Sequence, residues 1–285
     1  MKINRTSPQS NKYLQIIDTI AKSPKWLYFM GLLPPERIAS VAIVGSRKPT
    51  AYGREVTYQI AYALAKSGVV IISGLAVGID AIAHQAAIDA GGVTLAILPS
   101  GLDQIYPSSN QKLAKDILSR GGAIISEYDI GISARNYQFL ERNRIVSGLA
   151  DAVIVTEAAI RSGTLSTAAH ALSQGREVMV VPGNITSPMS AGCNNLIKQG
   201  AHPITCPDDV LEIIAPELLR PQTALALGDT PLESRIISLL QSGIRDGDAL
   251  QETTQAPASE FTQALTMLEI NGLIRSLGGN QWTIR

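Results

Sequence analysis

Residues 41–53 read VAIVGSRKPTAYG: an apolar, β-branched run, then a Gly-Ser-Arg-Lys turn, then the opening of a helix-like segment. The run lacks the alternation of a strand with one wet face, so it reads as a strand buried on both sides. The same grammar returns at VVIIS (69–73), VTLAIL (93–98), AIIS (123–126), AVIVT (152–156) and VMVVP (178–182). Between these runs, segments such as EVTYQIAYALAKSG and LSTAAHALSQG carry helical spacing and stop at glycine. A β-α-β-α order of this kind predicts an α/β fold, a doubly wound Rossmann-like and mostly parallel sheet.

The chain of 285 residues is 45% hydrophobic, 17% charged and carries 24 glycines, the balance of a globular protein with a sizeable core. No apolar run approaches the ~18 residues a membrane span needs, and the N-terminus lacks a signal core. Cys193 and Cys206 are too few for a disulfide framework. A cytoplasmic protein without membrane contact is the expectation. Formal net charge is zero, so binding to a polyanion has to come from local clustering. Such clustering exists: Lys2, Arg5, Lys12, Lys22, Lys25 and Arg37 face only Asp18 and Glu36 in the first forty residues, whereas acids outnumber bases from Asp208 onward.

Four regions follow. Residues 1–40 are a helical lead-in, with YLQIIDTIAKSPKWLYFMG read as an amphipathic helix turning at Pro24 and packed on the sheet edge. Residues 41–214 hold the sheet, and 215–229 form a proline-punctuated linker. Residues 230–285 place the helices PLESRIISLLQSG and ASEFTQALTMLEING before a hairpin at Gly278-Gly279-Asn280, the order of a winged helix. The second of these helices holds Glu260 and Glu269 and no Lys or Arg, which favours a structural or protein-contact role over DNA reading.

Ligands of an open α/β sheet collect at the carboxyl ends of its strands. Those ends are GSRKPTAYG (45–53), SGLAVGID (73–80), PSGLDQIYP (99–107), SEYDIG (126–131) and TEAAIRSGTLSTA (156–168), and every one contains glycine. Glycine lets backbone amides approach a ligand, and helix N-termini favour anions, so five such loops on one edge point to a phosphate-bearing ligand. Neither GxGxxG nor GxxxxGK[ST] occurs, which removes the main support for dinucleotide binding and ATP hydrolysis. Cations accompany this edge, Arg47 and Lys48 after the first strand and Arg161 just before Gly163 and Thr164, with Gly78 in the second loop; these are candidate contacts. Residues 139–150, FLERNRIVSGLA, add Phe139, Arg142, Asn143 and Arg144 beside a buried strand. Arg142 is the candidate for phosphate, and Asn143 with Arg144 are read as holding loops in place, Arg144 through Glu157 or Asp151. Phe139 has two readings, a stacking face for an unpaired base and a core residue.

Catalytic constellations are sparse. Asp80 and His84 lie one helical turn apart and read as a dipole-complementing acid and a buried histidine. His170 and His202 lack ligand-spaced neighbours and no CxxC occurs, so no metal and no cofactor is expected. Glu157 is the one carboxylate placed to serve as a base.

Taken in order, VAIVGSRKPTAYG, SGLAVGIDAIAH, GLDQIYP, SEY, FLERNRIVSGL, TEAAIRSGTLSTAAHAL, GREVMVVPGN and SAGCNNLIKQGA resemble the DprA/Smf family across residues 13–214, and the tail resembles that family's small winged-helix domain. The resemblance implies a dimeric, non-enzymatic protein that binds single-stranded DNA and loads the RecA recombinase on incoming DNA in natural transformation. It implies a DNA pocket of Gly45, Ser46 and Arg47, of Ser73, Gly74, Leu75 and Ala76, and of Phe139, Arg142, Asn143 and Arg144. Two departures stand out: Leu140 replaces the usual proline after Phe139, and the larger N-terminal helical domain of many members is absent, so its functions do not transfer. The second reading is a nucleotide-processing enzyme of the phosphoribohydrolase type. Ser162-Gly163-Thr164-Leu165 is similar to part of that motif, but Thr167 stands where its glutamate belongs.

Overall fold

The six apolar runs all become strands, and the central ones are buried along their whole length. The computed structural model describes residues 2–219 and 230–284. The chain divides into two compact units, Met1–Leu218 and Leu219–Arg285. Elements of the first, in order, are β1 (Asn4–Thr6), β2 (Leu27–Gly31), β3 (Ser40–Val44), α1 (Ala51–Lys66), β4 (Val70–Ser73), α2 (Ile79–Asp89), β5 (Thr94–Leu98), α3 (Gln111–Ser119), β6 (Ala123–Ser126), α4 (Asn136–Gly148), β7 (Ala152–Val155), α5 (Thr164–Ser173), β8 (Glu177–Val180), α6 (Ala191–Lys198), β9 (His202–Pro203) and α7 (Pro207–Ile214).

The strands form one sheet in the order β1-β2-β6-β5-β4-β3-β7-β8-β9. From β6 to β9 every pairing is parallel; β2 is antiparallel to β6 and β1 to β2. The chain winds one way from β3 through β4, β5 and β6, then returns to the other side of β3 with β7. Beyond the carboxyl ends of β3 and β7 the two windings part, and a crevice opens there for geometric reasons alone. Cores lie on both faces, one joining Tyr13, Ile17, Ile72, Val153 and Ala168, another Met30, Leu98, Ile117 and Ile124.

The lead-in departs from expectation. Residues 14–19 form a short 3-10 turn where the helix was expected, and the residues after the turn at Pro24 form β2. Ile16, Ile17, Thr19 and Ile20 are β-branched and lose rotamer freedom in a helix. Leu27, Tyr28, Phe29 and Met30 suit a pleated, half-buried surface, and β6 offered a free ladder edge. The segment is anchored by Tyr13, fully buried, whose hydroxyl meets Ser40 Oγ at 2.8 Å.

In the second unit, α8 (Pro231–Gln241), α9 (Gly247–Thr254) and α10 (Ala258–Ile270) precede a hairpin of β10 (Ile274–Gly278) and β11 (Gln281–Ile284). Helix α9, which periodicity did not reveal, is started by Asp246, whose carboxylate accepts from the amides of Asp248 and Ala249 at 3.1 Å. Its own core joins Ile236, Leu250, Phe261, Leu268 and Ile274. Of the linker expected at 215–229, residues 216–218 form a 3-10 turn and 220–229 lie outside the described residues. Among the described residues no helix is long and apolar enough to cross a membrane.

Candidate functional site

Three loops and one helix converge at the switch point. The turn after β3 is locked from below: Ser46 N donates to the Glu157 carbonyl at 2.8 Å, and Ser46 Oγ accepts from Lys48 N at 3.0 Å. Ser46 O in turn accepts from Ile79 N at 3.1 Å, which fixes the start of α2. Gly78 stands at that junction with φ +87°, and a Cβ there would overlap Ser46 O. Only glycine fits both demands. Thr164 Oγ1 reaches across the switch point to donate to the Gly45 carbonyl at 2.9 Å, tying α5 to the end of β3.

Arg142 is the keystone of the floor. It projects from α4 into the sheet edge, 5% exposed, and donates from Nη1 to the carbonyls of Gly74, at 2.7 Å, and Ile97. A Cβ on Gly74 would overlap the guanidinium, so glycine is what allows this approach. Asp80 accepts from the amides of Gly74 at 3.1 Å and Ala76 at 3.4 Å. Burial pushes the Asp80 carboxyl up, opposed by the Arg142 charge and these amides. Burial likewise lowers Arg142 to about 10, opposed by Asp80, so it stays charged at neutral pH.

The bound space is a cavity of about 620 Å³, lined among others by Gly45, Ser46, Arg47, Ala76, Asp80, Tyr106, Phe139, Arg142, Asn143, Arg161, Gly163 and Thr164. Phe139 is held from two sides: the Arg47 guanidinium lies 5.3 Å from its ring centroid, and Tyr106 meets it edge-on at 5.4 Å. It is half-buried rather than core. Helix α5 starts here at Gly163, with Arg161 and Ser162 on its approach; Ser162 Oγ accepts from Thr164 N at 3.2 Å, and the amides of Leu165 and Ser166 pair with the Ser162 and Gly163 carbonyls. The helix dipole and the exposed Arg47 and Arg161 make this end of the crevice suited to anions.

Not every expected contact lines the cavity. Gly45, Ser46, Arg47, Ala76, Phe139, Arg142, Asn143, Gly163 and Thr164 do. Ser73, Gly74 and Leu75 are buried beneath it, Ser73 donating its hydroxyl to the Ile43 carbonyl at 2.6 Å; Gly78 is a hinge of the scaffold and Lys48 an exposed residue beside the turn. The amides of the Ser-Gly-Leu-Ala loop are turned inward to Asp80 because that carboxylate occupies the start of α2. Arg144 pairs with Glu127, neither Glu157 nor Asp151, in a contact nearly closed to solvent. Burial raises the Glu127 carboxyl, opposed by that arginine. Asn143 bridges α4 to α5 through Ser166 Oγ at 2.9 Å.

Glu157, the nominated base, is buried and spends its carboxylate on the amide (3.1 Å) and hydroxyl of Thr50, the residue that caps α1. His84 is buried with Nδ1 on Thr94 Oγ1 at 2.6 Å, and burial lowers it to about 3. Among the described residues no cluster of acids, histidines or cysteines could hold a metal ion. Residues that sequence reading did not place in the site include Tyr106, Asn136 and Met189. The signal for Tyr106 was its position at the end of a glycine loop on the carboxyl edge; Asn136 and Met189 left none.

The fold and crevice define a Rossmann-like α/β binding domain followed by a winged-helix domain. Residues 4–215 match the family model described as DNA recombination-mediator protein A, and residues 220–280 that of the DprA winged helix domain. The chain belongs to the DprA/Smf family. It is 38% identical over 270 residues to Protein Smf of Escherichia coli, covering 92% of this chain and 72% of the relative. It is 40% identical over 195 residues to DNA processing protein DprA of Streptococcus pneumoniae, covering 68% of each. Its fold is similar to the crystal structure of that S. pneumoniae protein (TM-score 0.70, 38% identity, 75% of each chain). It is similar also to DNA processing protein A of Helicobacter pylori, a protein whose structure addresses its single-stranded DNA binding mode (TM-score 0.67, 32% identity, 76% of this chain and 97% of that one).

Proposed function

We propose that this protein binds single-stranded DNA in the switch-point crevice and delivers it to a RecA recombinase, as a cytoplasmic homodimer serving natural transformation. The observation that carries the DNA reading is Phe139, set at the mouth of the cavity between Arg47 and Tyr106. An aromatic face flanked by a cation serves an unpaired base, and Arg161 at the positive end of α5 serves the phosphate that follows. Kinship with the H. pylori protein supports the same ligand. The activity is binding rather than turnover, because the carboxylate best placed for chemistry is engaged in holding Thr50, the cap of α1.

A titration of single- and double-stranded oligonucleotides against salt, with AMP as control, tests this reading. With Arg47, Lys48 and Arg161 as the exposed cations here, the slope of log K against log salt should be on the order of −2 for a single strand. Arg47→Glu turns an attraction into a repulsion and should weaken single-strand binding at least tenfold with little change in Tm. Unchanged binding would remove the crevice from the reading, and turnover of a mononucleotide would reverse it in favour of an enzyme. Delivery is measured separately, as faster RecA filament assembly on a strand coated with single-strand-binding protein.

A further inference from the structure

The carboxyl edge of the sheet continues past β6. Because β2 runs antiparallel to β6, with Tyr28 opposite Ser126, the residues just before β2 lie beyond the carboxyl end of β6. Lys25 and Trp26 therefore stand on the same edge as the crevice. Strand β1 pairs outside β2 with Arg5 opposite Tyr28, and the Arg5 guanidinium sits 4.4 Å over the Trp26 ring. Trp26 is 49% exposed. Lys25 is exposed and, like Arg5, enters no ion pair among the described residues. An exposed indole carrying a cation, beside a further lysine, has the composition of a single-strand contact.

A laced rim joins this patch to the crevice. Tyr106, against Phe139, ends the loop after β5. That loop is tied to the loop after β6 by Gly101 N on the Ile132 carbonyl at 2.8 Å and by Gly131 N on the Asp103 carboxylate at 2.9 Å. The loop after β6 is tied to β2 by the Tyr28 hydroxyl donating to Asp129. Of the acids in these loops, Asp103 and Asp129 thus accept hydrogen bonds from within the rim, and Glu127 is paired with Arg144. From β3 to β2 there are four strand spacings, roughly 19 Å at ~4.8 Å each. A stacked strand rising ~3.4 Å per nucleotide covers that span in on the order of six nucleotides.

We propose that Trp26, with Arg5 stacked on it and Lys25 beside it, is a second base-stacking platform for the strand that enters at Phe139; this rests on the function proposed above. A strand long enough to cross the rim engages both platforms, and a short one engages the crevice alone.

Oligo(dT) of 4 and 12 nucleotides tests it by fluorescence anisotropy. Trp26→Ala should weaken binding of the 12-mer at least threefold and leave the 4-mer within twofold, whereas Arg47→Glu should weaken both. Trp26→Tyr, which keeps a ring, should restore most of the 12-mer affinity. Trp26 and Trp282 are the two tryptophans of the chain, so in a Trp282→Phe variant Trp26 is the sole indole emitter. Its fluorescence should be quenched by the 12-mer and not by the 4-mer. A 12-mer loss below threefold in Trp26→Ala, an equal loss on both lengths, or an unquenched Trp26 overturns the platform while leaving the crevice intact. A null effect of Arg47→Glu on both lengths overturns the crevice and the platform together.

Discussion

Arg142 keeps its charge inside the sheet edge because two carbonyls and the field of Asp80 replace water around it. Arg142→Met removes the donor from the carbonyls of Gly74 and Ile97 and the counter-charge from Asp80. The expected loss is about 3 kcal/mol, read by urea unfolding. His84 is the opposite case, a titratable group kept neutral. Its folded value of about 3, set by burial and then by the Arg142 charge, lies below the ~6.5 of an unfolded histidine. The unfolded chain therefore binds the extra proton between these values. The stabilisation is full above pH 6.5 and is lost as pH falls toward 3, by about 2 kcal/mol at pH 5. His84→Asn should flatten the fall of Tm between pH 7 and pH 5.

Among the elements, α4 explains why Arg142, Asn143 and Arg144 are not one cationic wall. Consecutive residues of a helix point about 100° apart. Arg142 therefore turns into the sheet edge, Asn143 toward Ser166 of α5 and Arg144 toward Glu127 after β6. The triplet spends both of its cations on assembly, and the cations left for a ligand come from the flanking loops. Helix α2 depends in the same way on the turn after β3. Gly78→Ala would set a Cβ against Ser46 O at a φ that L residues avoid. That change should cost about 2 kcal/mol in thermal or urea unfolding and weaken single-strand binding, because the Ser46–Arg47 turn must shift.

On the scale of the molecule, each unit carries a core of its own residues, which predicts that residues 1–218 fold without the rest. Removing residues 219–285 should leave single-strand affinity within about tenfold, or ~1.4 kcal/mol. A larger loss in the oligonucleotide titration would make α10 or its hairpin a DNA contact despite Glu260 and Glu269.

The order of the central strands and helices, the glycine loops at the edge where the crevice opens and the family itself were legible in the sequence, because buried strands and glycine turns are local in the chain. Helix α9 and strand β2 were less so: one lacks an apolar stripe, and the other needed a partner strand more than 90 residues away in the sequence to win over a helix. Only the tertiary structure decided which cations face solvent. Whether Arg142 or Arg47 meets a ligand depends on the carbonyls and carboxylates that distant loops bring within hydrogen-bonding reach. That competition between internal and external partners is a matter of burial, which neighbours in sequence do not control.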